Sequence, residues 1–216
     1  MTRIIILVLS CQQPPYNRLH EAQRRTWDSI EVSDVTTCYY WCDDLTRASR
    51  LLREELDRVW GLDWDYLFRT NASSYVDKDR LLEHARWLPR ERYYQGIDGG
   101  GFASGSGFFL SRDLAMILRA SLPNEHPELV EDEVVAEVLR PHHVINQPGA
   151  ERIDFWPRPM IVRQRAEISF STETLIHDAY HIRCKSDTAD REKDIMAMEE
   201  VHQIKLGFPQ IGRAHV

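Results

Sequence analysis

Apolar positions fall into two recurring patterns along the chain: short unbroken runs, and stripes at helical spacing. Ile4 to Leu9 is an unbroken run, as expected for a strand covered on both faces, and it empties into the polar, proline-bearing loop Ser10 to Pro15. Leu19, Ala22, Trp27 and Ile30 then recur at helical spacing behind Asn17, which is placed to cap a helix. Val35 to Cys42, rich in β-branched and aromatic residues, predicts a second strand ending at Asp43 and Asp44. Leu45, Ala48, Leu51, Leu52, Leu56 and Val59 form the stripe of a second helix. Asp65 to Thr70 reads as a third strand, followed by a loop and a short helix from about Lys78 to Trp87. Tyr93 to Gly96 and Gly107 to Leu110 are strand candidates joined by a glycine-rich link, Gly99 to Gly107. Ser111 is placed to cap a helix through Arg119, and Val130 to Leu139 reads as another helix.

Repeated strand and helix units predict an α/β fold with a mostly parallel central sheet flanked by helices. The length of 216 residues suits one domain, residues 1–216. Ligands of such folds sit at the carboxyl ends of the strands, which here are Ser10 to Gln13, Asp43 with Asp44, and Asn71 to Ser74.

With 43% apolar and 28% charged residues, the chain has the composition of a globular protein with a full core. Its net charge of −7 and the lack of a long basic run argue against nucleic acid as a partner. Any anionic ligand must then be held by a local cluster. Only four of the 27 basic residues are lysine, and arginine is the side chain suited to bidentate grip on phosphate. The first apolar run is too short to span a bilayer or to serve as a signal segment, so no integral membrane segment and a cytoplasmic location are expected. Cys11, Cys38, Cys42 and Cys184 lack zinc spacing and disulfide-rich density, which points to buried free thiols. No G-x-G-x-x-G follows the first strand, no Walker A sequence is present, and no G-x-S-x-G elbow occurs. A nicotinamide enzyme, a P-loop kinase and an elbow-type hydrolase are thus disfavoured.

RRTW (Arg24 to Trp27), DYLFRTNASSYVD (Asp65 to Asp77), FASGSGFFLSRDL (Phe102 to Leu114) and VEDEVV (Val130 to Val135) stand in an order that resembles the β-1,3-galactosyltransferase and Fringe group of nucleotide-sugar glycosyltransferases. The chain is also similar to short bacterial and chlorella-virus glycosyltransferase domains, down to the tail YHIRCKSDTADREKDI (Tyr180 to Ile195). The resemblance covers nearly the whole chain and implies a GT-A (Rossmann-like, nucleotide-diphospho-sugar transferase) fold, a nucleotide-sugar donor and glycosyl transfer to a hydroxyl.

The family places an acidic D-x-D cluster at a strand end, where it brings Mn²⁺ or Mg²⁺ to the donor diphosphate. Here Asn71, Ala72 and Ser73 fall on those positions, and none is charged, which makes a metal cofactor doubtful. A literal D-x-D, Asp77-Lys78-Asp79, coincides with a helix start, where aspartate either caps the helix or ligates a metal. His181 is a further metal ligand implied by the resemblance. Cations able to replace the metal at the diphosphate are Arg25, Arg69, Arg183 and Lys185, with His181 on the same side of an extended segment.

Asp132 matches the second acid of the family's E-D-V pattern and is the expected base, with Glu131 as alternate because its helical phase lies nearer the valine stripe. Gly105, Ser106 and Gly107 belong to a link whose glycines allow close backbone approach to donor or acceptor. Ser10, Cys11 and Gln12 are positioned for a nucleobase, and Asp43 for the base or ribose. Phe155, Trp156 and Tyr180 are candidates to stack on a sugar. The expected function is hexosyl transfer from a UDP-sugar to a glycan or glycoprotein acceptor, inverting because a single base of this type implies direct displacement. A catalytically reduced relative that binds nucleotide sugar or glycan is the alternative, motivated by Asn-Ala-Ser at the D-x-D position. A non-glycosyl nucleotide-binding α/β protein is a third reading.

Overall fold

The computed structural model describes residues 1–126, 128–155, 159–163, 172–186 and 191–207. Trp156 lies outside the described residues. Strand β1 (Ile4–Ser10) occupies the middle of a five-stranded sheet, with β2 (Val35–Trp41) on one side and β3 (Tyr66–Asn71) on the other, both parallel to it. Its unbroken apolar run follows from this position: Ile4, Ile6 and Val8 enter one core, while Ile5 and Leu7 enter a second on the opposite face. The sheet continues through β6 (Ala103–Ser111), antiparallel to β3, to β5 (Tyr94–Asp98), which is antiparallel to β6 and so runs in the same direction as β3.

The sheet is therefore mixed, where a mostly parallel one is expected from the strand and helix alternation. The reason is covalent: the connection from Asp98 to Ala103 is too short for a crossover helix and can close only a hairpin. Much of the glycine-rich link is itself strand, and Gly105, Ser106 and Gly107 lie within β6.

Helices α2 (Ala48–Val59), α4 (Arg112–Ser121) and α5 (Glu131–Leu139) cover one face. Helices α1 (Tyr16–Arg25), α3 (Lys78–Ala85) and α7 (Arg191–Gly207) contribute to the core on the other. Pro15, rather than Asn17, occupies the position before α1, and Asn17 falls in its first turn. A second sheet packs into the α1 side, in the order β4 (Ser74–Val76), β9 (His181–Arg183), β7 (Glu151–Phe155) and β8 (Pro159–Arg163). Helix α6 (Thr172–Asp178) precedes β9. All four cysteines are free; Cys38, Cys42 and Cys184 are buried and Cys11 is half-buried.

Candidate active site

The chain leaves the carboxyl end of β3 at Asn71 and turns through Ala72 and Ser73 into β4. Asn71 Oδ1 closes this turn, accepting from the Ser73 N–H at 3.3 Å, Ser73 Oγ at 3.0 Å and Ser74 Oγ at 3.3 Å. Gln23 Nε2 donates to the Asn71 carbonyl at 3.2 Å and the Ser74 carbonyl at 3.0 Å, and Trp27 Nε1 donates to the latter at 3.0 Å. The RRTW region thus braces the turn from α1. On the other side β9 is zipped to it: Ser74 pairs with Arg183, and the Cys184 N–H donates to the Ser73 carbonyl at 2.7 Å.

Beside this turn, Arg69 is buried in a pair with Glu131, its Nε 2.7 Å from Oε1 and its Nη2 3.0 Å from Oε2. Tyr40 Oη donates to the same carboxylate at 2.9 Å. Burial opposes the charge on Arg69, but Glu131 and the neighbouring Tyr40 outweigh it and hold the guanidinium charged. Arg69 also donates to the Gly105 carbonyl. With both charges sealed and satisfied, Arg69 and Glu131 are committed to each other rather than to a ligand. The side of α5 nearer the valine stripe, on which Glu131 was expected, is fully interior.

Asp132, one residue on, sits at the start of α5 and is not sealed. Its Oδ2 accepts from the Gly105 N–H at 2.6 Å. Glycine is required there because a Cβ would stand 2.9 Å from Arg69 Nη1 and 3.0 Å from Asp132 Oδ2. At Gly107 a Cβ would stand 2.7 Å from His181 Nδ1. The close approaches made by these glycines are to the protein's own side chains.

His181 is buried, with Nε2 3.1 Å from Ser74 Oγ and a hydrogen bond to the Ser106 backbone. Burial, reinforced by Arg152 and Arg183, holds its imidazole well below the ordinary 6.5, so it is neutral near pH 7. Ser106 joins the sheets, its carbonyl accepting from Thr70 Oγ1 at 2.7 Å and Ser74 Oγ at 3.2 Å, its hydroxyl from Arg152. Arg152 forks onto Asp154, with Nη2 2.8 Å from Oδ2, and Arg183 Nη1 stands 3.9 Å from the same oxygen.

The remaining sequence-selected residues divide. Ser10, buried at the end of β1, has no partner for its Oγ among the described residues. Cys11 Sγ donates to Asp43 Oδ1 at 2.9 Å, and burial followed by that carboxylate raises its thiol pKa. Gln12 is exposed beside them. Arg25 points elsewhere, its Nε 2.9 Å from Glu199 Oε1 on α7. Asp77 caps α3 through the Arg80 N–H at 3.0 Å and accepts from Lys205 Nζ at 2.7 Å; Asp79 is exposed in the first turn. The structure does not bring Asp77, Asp79 and His181 together, and no cluster of three or more potential ligands from His, Cys, Asp and Glu exists among the described residues. Lys185 is exposed just past β9. Phe155 is buried in the core and Tyr180 stacks on His84 at 4.7 Å between ring centroids.

Tyr40, Arg152 and Asp154 were not singled out by sequence. Arg152 and Asp154 had one available signal, the two-residue spacing in ERIDF that puts both on one side of a strand. A cavity of about 610 Å³ opens between α3, β7 and α6, lined by Arg80, His84 and Tyr180 among others, and it shares Arg152 with the strand-end cluster.

No protein-family model and no curated protein matches the chain. Among solved structures, it is similar to a glycosyltransferase involved in the glycosylation of the major capsid of PBCV-1, with 14% identity and a TM-score of 0.57. The match covers 92% of this chain and 99% of the other. The chain therefore shares the fold of a glycosyltransferase. Among the described residues, no helix is long and apolar enough to cross a membrane.

Proposed function

We propose that this chain is a glycosyltransferase of the GT-A type that moves a hexosyl group from a nucleotide-sugar donor, a UDP-sugar first, to a hydroxyl of a glycan or glycoprotein, with inversion. The observation that carries this reading is Asp132, held through one carboxylate oxygen by the Gly105 N–H at 2.6 Å, at the strand-end cluster of a glycosyltransferase-like fold. Arg69 and Glu131 support it by fixing the start of α5 against β3 and β6. A carboxylate oriented in this way acts as general base.

In the step, the acceptor oxygen forms a bond to the anomeric carbon as the bond from that carbon to the phosphate oxygen breaks. The electron pair leaves with the nucleoside diphosphate, and the acceptor's proton passes to Asp132. The base and ribose would lie at Ser10 to Gln12 and Asp43, where the orphaned Ser10 hydroxyl gains a partner. The neutral Asn71-Ala72-Ser73 turn is the observation favouring the alternative, a relative that binds without turnover. Incubation with UDP-glucose and UDP-galactose, with released UDP measured and the anomer of the freed sugar read by NMR, separates the readings. Release with inverted configuration supports transfer; retention overturns the direct displacement; saturable binding without release favours the alternative.

A further inference from the structure

We propose that the free edge of β2 joins two copies of this chain, the two strands pairing antiparallel across a two-fold axis so that the five-stranded sheets run on into one another. Strand β2 is an outer strand of its sheet, and its residues Val35 to Trp41 match Ile4 to Ser10 of β1 one for one, with no bulge. About half of its backbone N–H and C=O groups point away from β1. Among the described residues, the backbone of Thr36 to Trp41 has no hydrogen-bond partner beyond β1. The strand also lacks the residues that guard an edge: VTTCYYW contains no charge and no proline.

The other edges of the two sheets carry such guards, and the contrast singles out β2. At the far side of the first sheet, β5 is bulged between Gly96 and Asp98, and the segment after α5 plugs its outer side. There the Gly96 N–H donates to Asn146 Oδ1 at 2.9 Å, Asn146 Nδ2 donates to the Gly96 carbonyl at 3.1 Å, and the Gln147 N–H donates to the Tyr94 carbonyl at 2.8 Å. In the second sheet, β4 is only three residues long, with its Ser74 carbonyl taken by Gln23 and Trp27, and β8 begins at Pro159. A bare row of backbone groups is matched by another bare extended row. With the other edges guarded, the matching row is that of β2 in a second copy.

The side chains along the edge suit this pairing. Tyr39 and Trp41 are half-buried on the α1 side, stacked at 6.1 Å between ring centroids, and His20 stands edge-on to them at 4.3 and 4.7 Å. A two-fold axis normal to the sheet sets this face beside the same face of the second copy. The aromatic pair of each chain then meets that of the other across the new strand pair, a contact that stabilises sheets. The charges acting on Cys38 and Tyr39 are already paired within the chain, Arg58 with Glu55 and Arg24 with Asp28, so no unmatched like charges meet there. Each chain has one such edge, so the assembly closes at two copies.

Sedimentation velocity of the intact chain at about 1 and about 100 µM, with amide hydrogen exchange at the higher concentration, tests this. The expected result is a dimer at the higher concentration in which the amides of Thr36 to Trp41 that point away from β1 are slow to exchange. Thr36→Lys, at an exposed position, sets two ammonium groups at the shared edge and is expected to weaken association about tenfold or more with an unchanged far-UV circular-dichroism spectrum. A wild-type chain that stays monomeric at the higher concentration leaves the edge to a strand of some other protein and overturns the proposal. A dimer whose outward β2 amides exchange rapidly places the interface elsewhere and overturns it too, a result read from the wild type even where the variant does not fold. Thr36→Lys that associates as tightly as the wild type has the same consequence.

Discussion

Two arginine and carboxylate clusters stand near the strand ends, and they use the same chemistry to different ends. In the first, Arg69 and Glu131 are 4% and 3% exposed, every strong donor and acceptor is matched, and Tyr40 closes the carboxylate. In the second, Arg152 is as deeply placed, but Asp154 and Arg183 are 24% and 29% exposed and their contact is long. Burial separates the roles. A sealed pair has already given up its hydration and gains nothing from exchanging its partner, so it fixes α5 to the sheet. A pair open on one side stays in contact with solvent, and its attraction is correspondingly weaker. By the same logic Asp132, adjacent in sequence to a sealed residue, is the acid with capacity left.

Breaking the sealed cluster carries the largest expected effect. Glu131→Gln leaves the Arg69 charge buried beside a neutral amide and is expected to cost about 3–5 kcal/mol in urea denaturation. Arg69→Met combined with Glu131→Leu recovers part of that loss, because no charge is then left unpaired. A cost below about 1 kcal/mol for Glu131→Gln would place the pair among solvated ones and erase the contrast. Asp132→Asn keeps an oxygen for the Gly105 N–H but removes the proposed base: turnover of the UDP-sugar is expected to fall about 100-fold or more, with an unchanged melting temperature. Undiminished turnover would move the base elsewhere.

Asp77→Ala tests whether that residue belongs to a helix or a metal. Loss of the cap should cost about 1–2 kcal/mol, increased by the buried Lys205 left without its carboxylate, while UDP affinity stays constant. Reduced affinity at full stability would restore Asp77 to the ligands. The smallest effect is in pH. Burial depresses the pKa of His84 and His181 in the folded chain, so the unfolded chain takes up protons first. Their contribution is complete above the ordinary value of 6.5 and is lost as pH falls through the depressed folded values. Melting temperatures at about pH 7.5 should exceed those at about pH 5.5, and His181→Asn should flatten the difference.

The local patterns were readable in the chain. The first run, Ile4 to Leu9, has no polar residue because both its faces are covered, and that signal needs no partner to be recognised. The stripe from Leu45 to Val59 likewise gave its helix, with only its first turn tightened to a 3-10 form. The antiparallel β6 that makes the sheet mixed was not foreseen because strand and helix alternation dominates the first half, although the short glycine link already demanded a hairpin. Of the proposed site, the sequence pointed to Asp132 and the His181 to Lys185 segment. Of Arg152 and Asp154 it offered only a two-residue spacing on one strand, because their shared environment arises when β7 lies beside β9.

What the sequence determined by itself is therefore periodicity and residue type: a central buried strand, amphipathic helices, a neutral turn where its resemblance expects acids, and an abundance of arginine. The tertiary structure decided which acids these arginines meet. Arg25 meets Glu199 and Arg69 meets Glu131 across separations of 174 and 62 residues, and Arg183 reaches Asp154 loosely at 3.9 Å. The physical reason is that burial and charge pairing depend on neighbours brought together from distant parts of the chain, while hydrophobic period depends only on the residues of one element.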